Sequence, residues 1–283
     1  MLVRITTPLL GVTMLIATLG AGCSQCSPAT GDVEQTIPTE STGPAPTDGS
    51  FDPQEPPVAI DVPSPNELLA AFRTYRPQLV TYPVTRASLQ DTDRLTLALG
   101  LGERVTDLAL AVGEQNAAKC RLLADQMLEI ATAMGFGTQA GALHGEFTGA
   151  LADPVDWAGM PNRFEALYGG LRTRLSSGEG DQTSQIVALG TWLQMLAYGS
   201  RLATEVPADA AGIAERLHTP ELAEYFESVL NSVGEPLSAS PRIAALRAGV
   251  GSVKALFQAT PSDQFQAPQI GSLQSTVSPL LVP

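Results

Sequence analysis

The chain is poor in the residues from which disulfide frameworks and histidine metal sites are built. Its 283 residues include three cysteines and two histidines, too few for a disulfide scaffold or a histidine-ligated metal centre. Aromatic residues make up 5% and charged residues 16%, whereas hydrophobic residues make up 44%. This hydrophobic share excludes a wholly disordered chain. The length allows one large domain or two small ones.

Basic residues are also scarce, and their scarcity argues against nucleic acid as a partner. Sixteen Lys and Arg residues face 29 Asp and Glu residues, which gives a net charge of −13. Proteins that bind nucleic acid neutralise phosphates with clustered Lys and Arg, so we predict no nucleic-acid partner. The sequence also lacks a phosphate loop, a nucleophile elbow and a zinc-protease helix. We therefore predict no cofactor, no metal site and no catalytic residue, and a non-enzymatic role is favoured.

Residues 1–22 have the features of a signal peptide. Arg4 is their single charged residue, and an apolar run follows over residues 9–19. A run of this length is too short to cross a bilayer, which needs about 20 residues. It fits the apolar core of a signal peptide, because small residues follow it directly. A short buried helix is the alternative interpretation.

The end of this segment resembles the lipobox of bacterial lipoproteins, with the sequence Leu19-Gly20-Ala21-Gly22-Cys23. The resemblance implies that Cys23 becomes the mature N-terminus and carries diacylglycerol and fatty acyl chains such as palmitate. The protein would then be anchored by this lipid to a membrane of the cell envelope. The match covers only the first 23 residues, and it departs from the family pattern at Gly20, where Leu is preferred.

The residue after the cysteine bears on localisation within that envelope. By the sorting tendency of lipoproteins, Ser24 in place of Asp implies the outer membrane, facing the periplasm or the exterior, in a cell that has one. Cleavage near Ala21, which would release a soluble secreted protein, is the alternative.

Residues 23–63 are predicted to form an acidic, disordered linker. They contain no Lys or Arg and seven acidic residues, and residues 24–63 hold eight of the 22 prolines. Such a composition cannot bury enough apolar surface to offset the entropy of ordering the chain. We expect a tether that holds a folded domain away from the membrane. An ordered strap over its last residues, 58–62, is the alternative.

From Ser64 onward the sequence predicts an all-α domain, a bundle of five to seven helices over residues 64–258. Ser64, Pro65 and Glu67 form a helix start, with a capping serine, a proline at the first helical position and a capping-box glutamate. Apolar residues then recur at alternating spacings of three and four, which places them on one face of a helix. This spacing occurs in segments 91–112, 116–134, 161–175, 182–204, 220–233 and 241–257.

Two further features of this domain stand out. In segment 91–112, the acidic residues Glu103 and Asp107 share a face other than the apolar one. Glycines fall inside predicted helices at a cost of about 1 kcal/mol each relative to Ala, and we expect close approach of neighbouring helices to compensate. These glycines are Gly100, Gly102, Gly190 and Gly199.

Two segments outside these predicted helices have a less regular pattern. Residues 135–160 interrupt the helical pattern, with glycines recurring at positions 135, 137, 141, 145 and 149, although Gly141–Leu151 has some helical character. Residues 259–283 are polar and punctuated by proline, and they are predicted to form a tail that packs partly or not at all.

One group of residues is a candidate ligand pocket. Trp192, Gln194, Tyr198 and Arg201 give the helix in segment 182–204 an aromatic and polar character of the kind that ligand pockets use. The same residues are also common in helical cores, and we expect Trp192 to be a core residue, partly buried at the flank of its apolar stripe. Cys120 lies in an apolar stripe, where a buried free thiol is expected, with a disulfide to Cys26 as the alternative.

Three functions follow from these features. The first is a lipid-anchored envelope protein whose all-α domain is an interaction or structural module, with a protein partner in the envelope. The second is a small-molecule or lipid-binding protein with a helix-lined pocket near Trp192. The third is a hydrolase without a recognisable motif, which two paired and buried carboxylates would favour. The sequence specifies neither the partner nor the oligomeric state.

Overall fold

The computed structural model describes residues 62–70, 72, 93–152, 154–176, 181–234 and 237–281. These residues form α-helices and short 3₁₀ turns and contain no strand, so the all-α prediction is confirmed. The helices are α1 (Pro65–Ala70), α2 (Arg94–Gly113), α3 (Ala117–Ala133), α4 (Gly137–Gly149), α5 (Met160–Ser176), α6 (Asp181–Glu205), α7 (Ala210–Leu217), α8 (Pro220–Ser232), α9 (Pro241–Ala259) and α10 (Ala267–Val277).

The described part of the chain therefore has ten helices, more than the five to seven that we predicted. Two of the unexpected helices are α4, in the glycine-rich region, and α7, whose eight residues form only two turns. The predicted signal peptide and residues 23–61 of the predicted linker lie outside the described residues.

The structure moves the end of the folded domain beyond residue 258, after which we predicted a tail that packs partly or not at all. Residues 267–277 form α10, whose buried face of Ile270, Leu273 and Val277 packs against α6. Phe265 and Leu280, on either side of this helix, are also buried. Ile270, Leu273, Val277 and Leu280 are spaced by three, four and three positions within a polar sequence, and burial of that narrow stripe stabilises the helix. The folded domain therefore extends to residue 281.

Hydrogen bonds at the helix starts explain where two helices begin. Glu67 N donates to Ser64 Oγ at 3.3 Å and Ser64 N donates to Glu67 Oε2 at 2.8 Å, so the predicted capping box at α1 is confirmed. At α9 the Ser240 hydroxyl accepts a hydrogen bond from the amide of Arg242. Both interactions satisfy amides that the first turn of a helix leaves without a partner.

The core of the domain is the pair α2 and α6, around which most of the other helices pack. Residues of α2 meet residues of α6 in ascending order, because Leu99 lies against Gly190, Thr106 bonds to Thr191 and Asp107 bonds to Gln194. The two helices therefore run in the same direction. Helices α3, α5 and α1 also pack against α2, so nearly all of its residues are buried.

Glycines allow α2 and α6 to approach until their backbones touch. A Cβ atom at Gly102 would lie 2.7 Å from Thr191 N and closer still to Val187 O. A Cβ atom at Gly190 would meet the backbone of Leu99. The expectation that these glycines permit close helix packing is confirmed at both positions.

Threonine hydroxyls join the two helices at the same level. Thr191 Oγ1 donates to Gly102 O at 3.2 Å, and Thr106 Oγ1 lies 3.3 Å from Thr191 O. Both side chains are fully or almost fully buried. These bonds link the pair at the level where no side chain fits between the backbones.

No helix in the described ranges is both long enough and apolar enough to cross a membrane.

Replacing Gly102 tests this contact. Gly102→Ala should lower the free energy of unfolding by about 2 kcal/mol, because the overlap with the α6 backbone outweighs the gain of about 1 kcal/mol in helix propensity. Gly141→Ala in α4 is the matched control, since a Cβ atom there meets nothing within 4 Å and should stabilise the protein slightly. Urea unfolding measures both changes. A stable Gly102→Ala variant would contradict the close contact.

Candidate functional site

Three charged residues of α2 lie in the core of the domain. Glu103, Arg104 and Asp107 are each 2% exposed. The sequence pattern assigned Glu103 and Asp107 to a second, polar face of this helix, but neighbouring helices cover that face as well. Charges in such a position are expensive unless each is paired and hydrogen-bonded.

Asp107 is the centre of the resulting network. Its Oδ2 atom lies 2.8 Å from Arg104 Nη1, and its Oδ1 atom accepts a hydrogen bond of 3.0 Å from Gln194 Nε2. The hydroxyl of Tyr198 donates to the same Oδ1 atom. Glu103 Oε2 lies 3.9 Å from Arg104 Nη2, so the guanidinium faces two carboxylates. The network joins α2 to α6 about one turn beyond the glycine contact.

The electrostatics of the network keep Tyr198 as a hydrogen-bond donor. Burial is the largest cause that raises the pKa of its phenol above the ordinary value, and the charge of Asp107 raises it further. A protonated phenol is the partner that a carboxylate needs, because ionised tyrosine would place two anions together. Both oxygens of Asp107 are thus satisfied from within the chain.

Glu103 and Asp107 are the two buried carboxylates to which the hydrolase hypothesis applies. Glu103 and Asp107 are both buried, but Arg104 lies against both of them, and Asp107 also binds two neutral donors. General acid–base catalysis requires a carboxyl group within hydrogen-bond reach of a substrate atom. The bonds to Asp107 instead hold α2 to α6, which is the chemistry of a structural network.

The structure brings together only two of the four predicted pocket residues. Gln194 and Tyr198 meet at Asp107. Trp192 points elsewhere, with its indole Nε1 donating to Thr219 Oγ1 at 3.1 Å and its ring centroid 5.2 Å from that of Phe226. Arg201 lies on the exposed surface, where Arg201 Nε is 2.9 Å from Glu205 Oε1. A ligand pocket shared by these four residues stays a prediction.

Trp192 is more deeply buried than its sequence position indicated. Only 1% of the residue is exposed, whereas we expected a partly buried flank of the apolar stripe. Helix α8 covers the indole with Phe226, and Thr219, just before α8, satisfies its nitrogen. Its assignment to the core is confirmed.

Sequence reasoning missed Arg104 and Asp107 as members of one network. The available signal was the composition of α2, where small and apolar residues surround these charges on nearly every side of the helix. A helix that is apolar almost all round is usually buried on all sides. Charged residues inside such a helix therefore predict an internal ion pair.

Two other titratable residues, Cys120 and His218, lie against neighbouring parts of the fold. Cys120 is fully buried, and burial raises the pKa of its thiol to about 12, so the thiolate that reacts in disulfide exchange is scarce at neutral pH. His218 Nε2 lies 3.0 Å from Phe257 O and 2.9 Å from Thr260 O, at the end of α9. No group of three His, Cys, Asp or Glu residues within the described ranges is placed to hold a metal ion.

Substitution of Asp107 tests the network. Asp107→Asn should lower the free energy of unfolding by about 3–5 kcal/mol, because it leaves the guanidinium of Arg104 buried without its closest carboxylate. Glu227→Gln is the control, since it breaks the much more exposed pair of Glu227 with Lys254 and should have a far smaller effect. Equal urea midpoints for the two variants would contradict the proposed importance of Asp107.

Substitution of Trp192 separates a core residue from a ligand contact. Trp192→Ala should cost about 3–5 kcal/mol, through lost burial and the cavity that remains. Thr219→Val is the control that keeps the indole but removes the hydroxyl to which it donates, at about 1 kcal/mol. Denaturant unfolding measures both. An unchanged midpoint for Trp192→Ala would favour the pocket hypothesis over the structural role.

Comparisons of this chain with known protein families, with curated proteins and with solved structures find no match. The features of this chain that bear on its function are Cys23, which follows the apolar segment, and the buried network around Asp107.

Proposed function

We propose that this protein is a lipid-anchored protein of the bacterial cell envelope, and that its helical domain is a structural or interaction module. The observation that carries the proposal is the position of Cys23, directly after an apolar run that ends in Gly20, Ala21 and Gly22. This arrangement resembles the lipobox of bacterial lipoproteins, although Gly20 stands where Leu is preferred. The acidic, proline-rich residues 24–61 then connect the anchor to the domain.

The buried network around Asp107 favours a structural or interaction role for the domain over a catalytic one. The buried carboxylate of Asp107 is bonded to Arg104, Gln194 and Tyr198, and the bonds to Gln194 and Tyr198 hold α2 and α6 together. Buried polar groups that are satisfied inside a fold make the packing specific. A domain of this kind offers its surface, rather than a reactive interior, to a protein partner in the envelope.

The composition of the linker, which is acidic and rich in proline, supports the same assignment. Residues 24–61 carry seven acidic residues and no basic ones. Like charges and prolines favour extended conformations, which separate a domain from the surface to which its N-terminus is attached. The acidic residues also disfavour adsorption of the linker to anionic lipid headgroups. In this proposal the domain stands away from the membrane that holds it.

Substitution of the cysteines tests the anchor. In bacteria that process lipoproteins, the mature wild-type chain should begin at Cys23 with a diacylglycerol adduct, and it should enter the detergent phase on Triton X-114 partitioning. Cys23→Ser should move the protein to the aqueous phase or leave it unprocessed. Mass spectrometry of the N-terminal peptide and the phase partition are the two measurements.

Cys26 provides the matched control, because it lies three residues away in the same acidic segment. Cys26→Ser should retain the adduct and the detergent partition. An unmodified N-terminus at any other residue, or loss of detergent partition in Cys26→Ser alone, would overturn the lipid anchor at Cys23.

A further inference from the structure

The residues around the start of α1 lie against α5. Ser64 Oγ donates to Glu165 Oε1 at 3.0 Å, and Asn66 Nδ2 donates to Pro161 O at 3.4 Å. A lower residue number at this end of the chain therefore lies against a higher one in α5, so the chain comes to α1 antiparallel to α5. Val62 is already buried, although it precedes the first helix.

These two hydrogen bonds define the direction in which the preceding residues lie. Two residues of the incoming chain correspond to four residues of α5. An extended chain advances about 3.3 Å per residue and a helix about 1.5 Å, so an extended chain keeps this ratio as it runs along α5. Val62 precedes a proline, which favours an extended conformation there. The residues before Val62 are thus directed toward positions 169–176 of α5.

An open groove lies on α5 at these positions. It is lined by Gly169, Arg172, Thr173 and Ser176. A Cβ atom at Gly169 would meet nothing within 4 Å, so there is room beside this part of the helix. The hydroxyls of Thr173 and Ser176 each donate to a carbonyl of α5 itself at 2.9 Å. A chain that covers the groove therefore leaves neither hydroxyl without a partner.

The sequence before Val62 has the pattern of a chain that buries one side. Val58, Ile60 and Val62 are apolar and two positions apart. In an extended chain, residues two apart point to the same side. Because Val62 is buried, the same side carries Val58 and Ile60, and the register along α5 brings them to the level of the groove.

The charges of the groove and of this segment are opposite. Arg172 is the charged residue in the lining, and its guanidinium carbon lies 5.8 Å from the centroid of the Tyr168 ring. Among the residues that the structure describes, no carboxylate is paired with Arg172. Residues 55–61 contain Glu55 and Asp61 and no basic residue. Opposite charges favour this segment over a basic one as the occupant of the groove.

We propose that residues 57–61 bind in this groove as an extended strap, antiparallel to α5. Val58 and Ile60 lie against the helix, and Asp61 lies on the side of Arg172. The strap fixes the point at which the linker joins the domain, and it covers a face of α5 that would otherwise be open to another protein. The inference does not depend on lipidation of Cys23.

Disulfide trapping tests the position of the strap on the full chain. Cys23→Ser and Cys26→Ser remove the site of lipidation and a competing thiol, and Cys120 is fully buried. In this chain, Val58→Cys combined with Ser176→Cys should form a disulfide under mild oxidation, because the register places the two residues at the same level. Mass spectrometry of the peptides and non-reducing electrophoresis measure the rate.

Arg174→Cys, in place of Ser176→Cys, is the matched control for this experiment. Arg174 is an exposed residue of the same helix, but it lies about 160° around the helix axis from Ser176. The Val58→Cys disulfide with position 176 should form at least about tenfold faster than that with position 174, because docking raises the effective concentration on one side only. Equal rates, or no disulfide with position 176, overturn the strap.

Substitution of isoleucine tests the apolar contact. Ile60→Ser should slow the disulfide with position 176 at least about fivefold and lower the urea midpoint of the parent chain, because it removes a buried apolar side chain. Ile37→Ser makes the same change elsewhere in the linker and should alter neither quantity. If the two variants behave alike in both measurements, Ile60 does not bind the groove and the inference is wrong.

Discussion

At Gly102 the backbone of α2 lies so close to that of α6 that no side chain fits between them, and the positions of the other helices depend on this contact. Thr106 and Thr191 bond across the two helices at the same level. Glycine in a helix carries a cost in conformational entropy, and the close packing of two long helices offsets it. Helix α10 packs on α6, and α3 and α5 pack on α2, whereas α4 and α9 pack on these outer helices and not on the central pair.

Burial of α2 on nearly every side creates the second constraint. A helix in this position has no face left for water, so its charged residues must find partners inside the domain. Asp107 meets this requirement with one cation, one amide and one phenol, two of which come from α6. An ionic network of this geometry contributes more to the choice of one register than to net stability, because desolvation of the charges offsets much of their attraction.

These constraints affect function, because the buried polar side chains of the central pair bond to other residues of the fold. Trp192 and His218, which are residue types that often serve in active sites, contact Phe226 and the end of α9 respectively. Both side chains are therefore engaged in contacts within the fold. In the function that we propose, the surface of the domain recognises a partner and Cys23 attaches the protein to the membrane.

The sequence by itself determined six of the helices and their buried stripes, because a spacing of three and four residues has only one regular solution in which the apolar side chains share a face. It also determined the helix start at Ser64. The partners of the helices were decided only by the tertiary structure. Glu103 and Asp107 form a polar face by spacing alone, and only the helices that cover α2 place them in the core. Likewise, Ile270 and Leu273 are too few to predict a packed helix until α6 supplies the surface that buries them. Local periodicity decides which residues form a helix, whereas burial depends on neighbours that are distant in the chain.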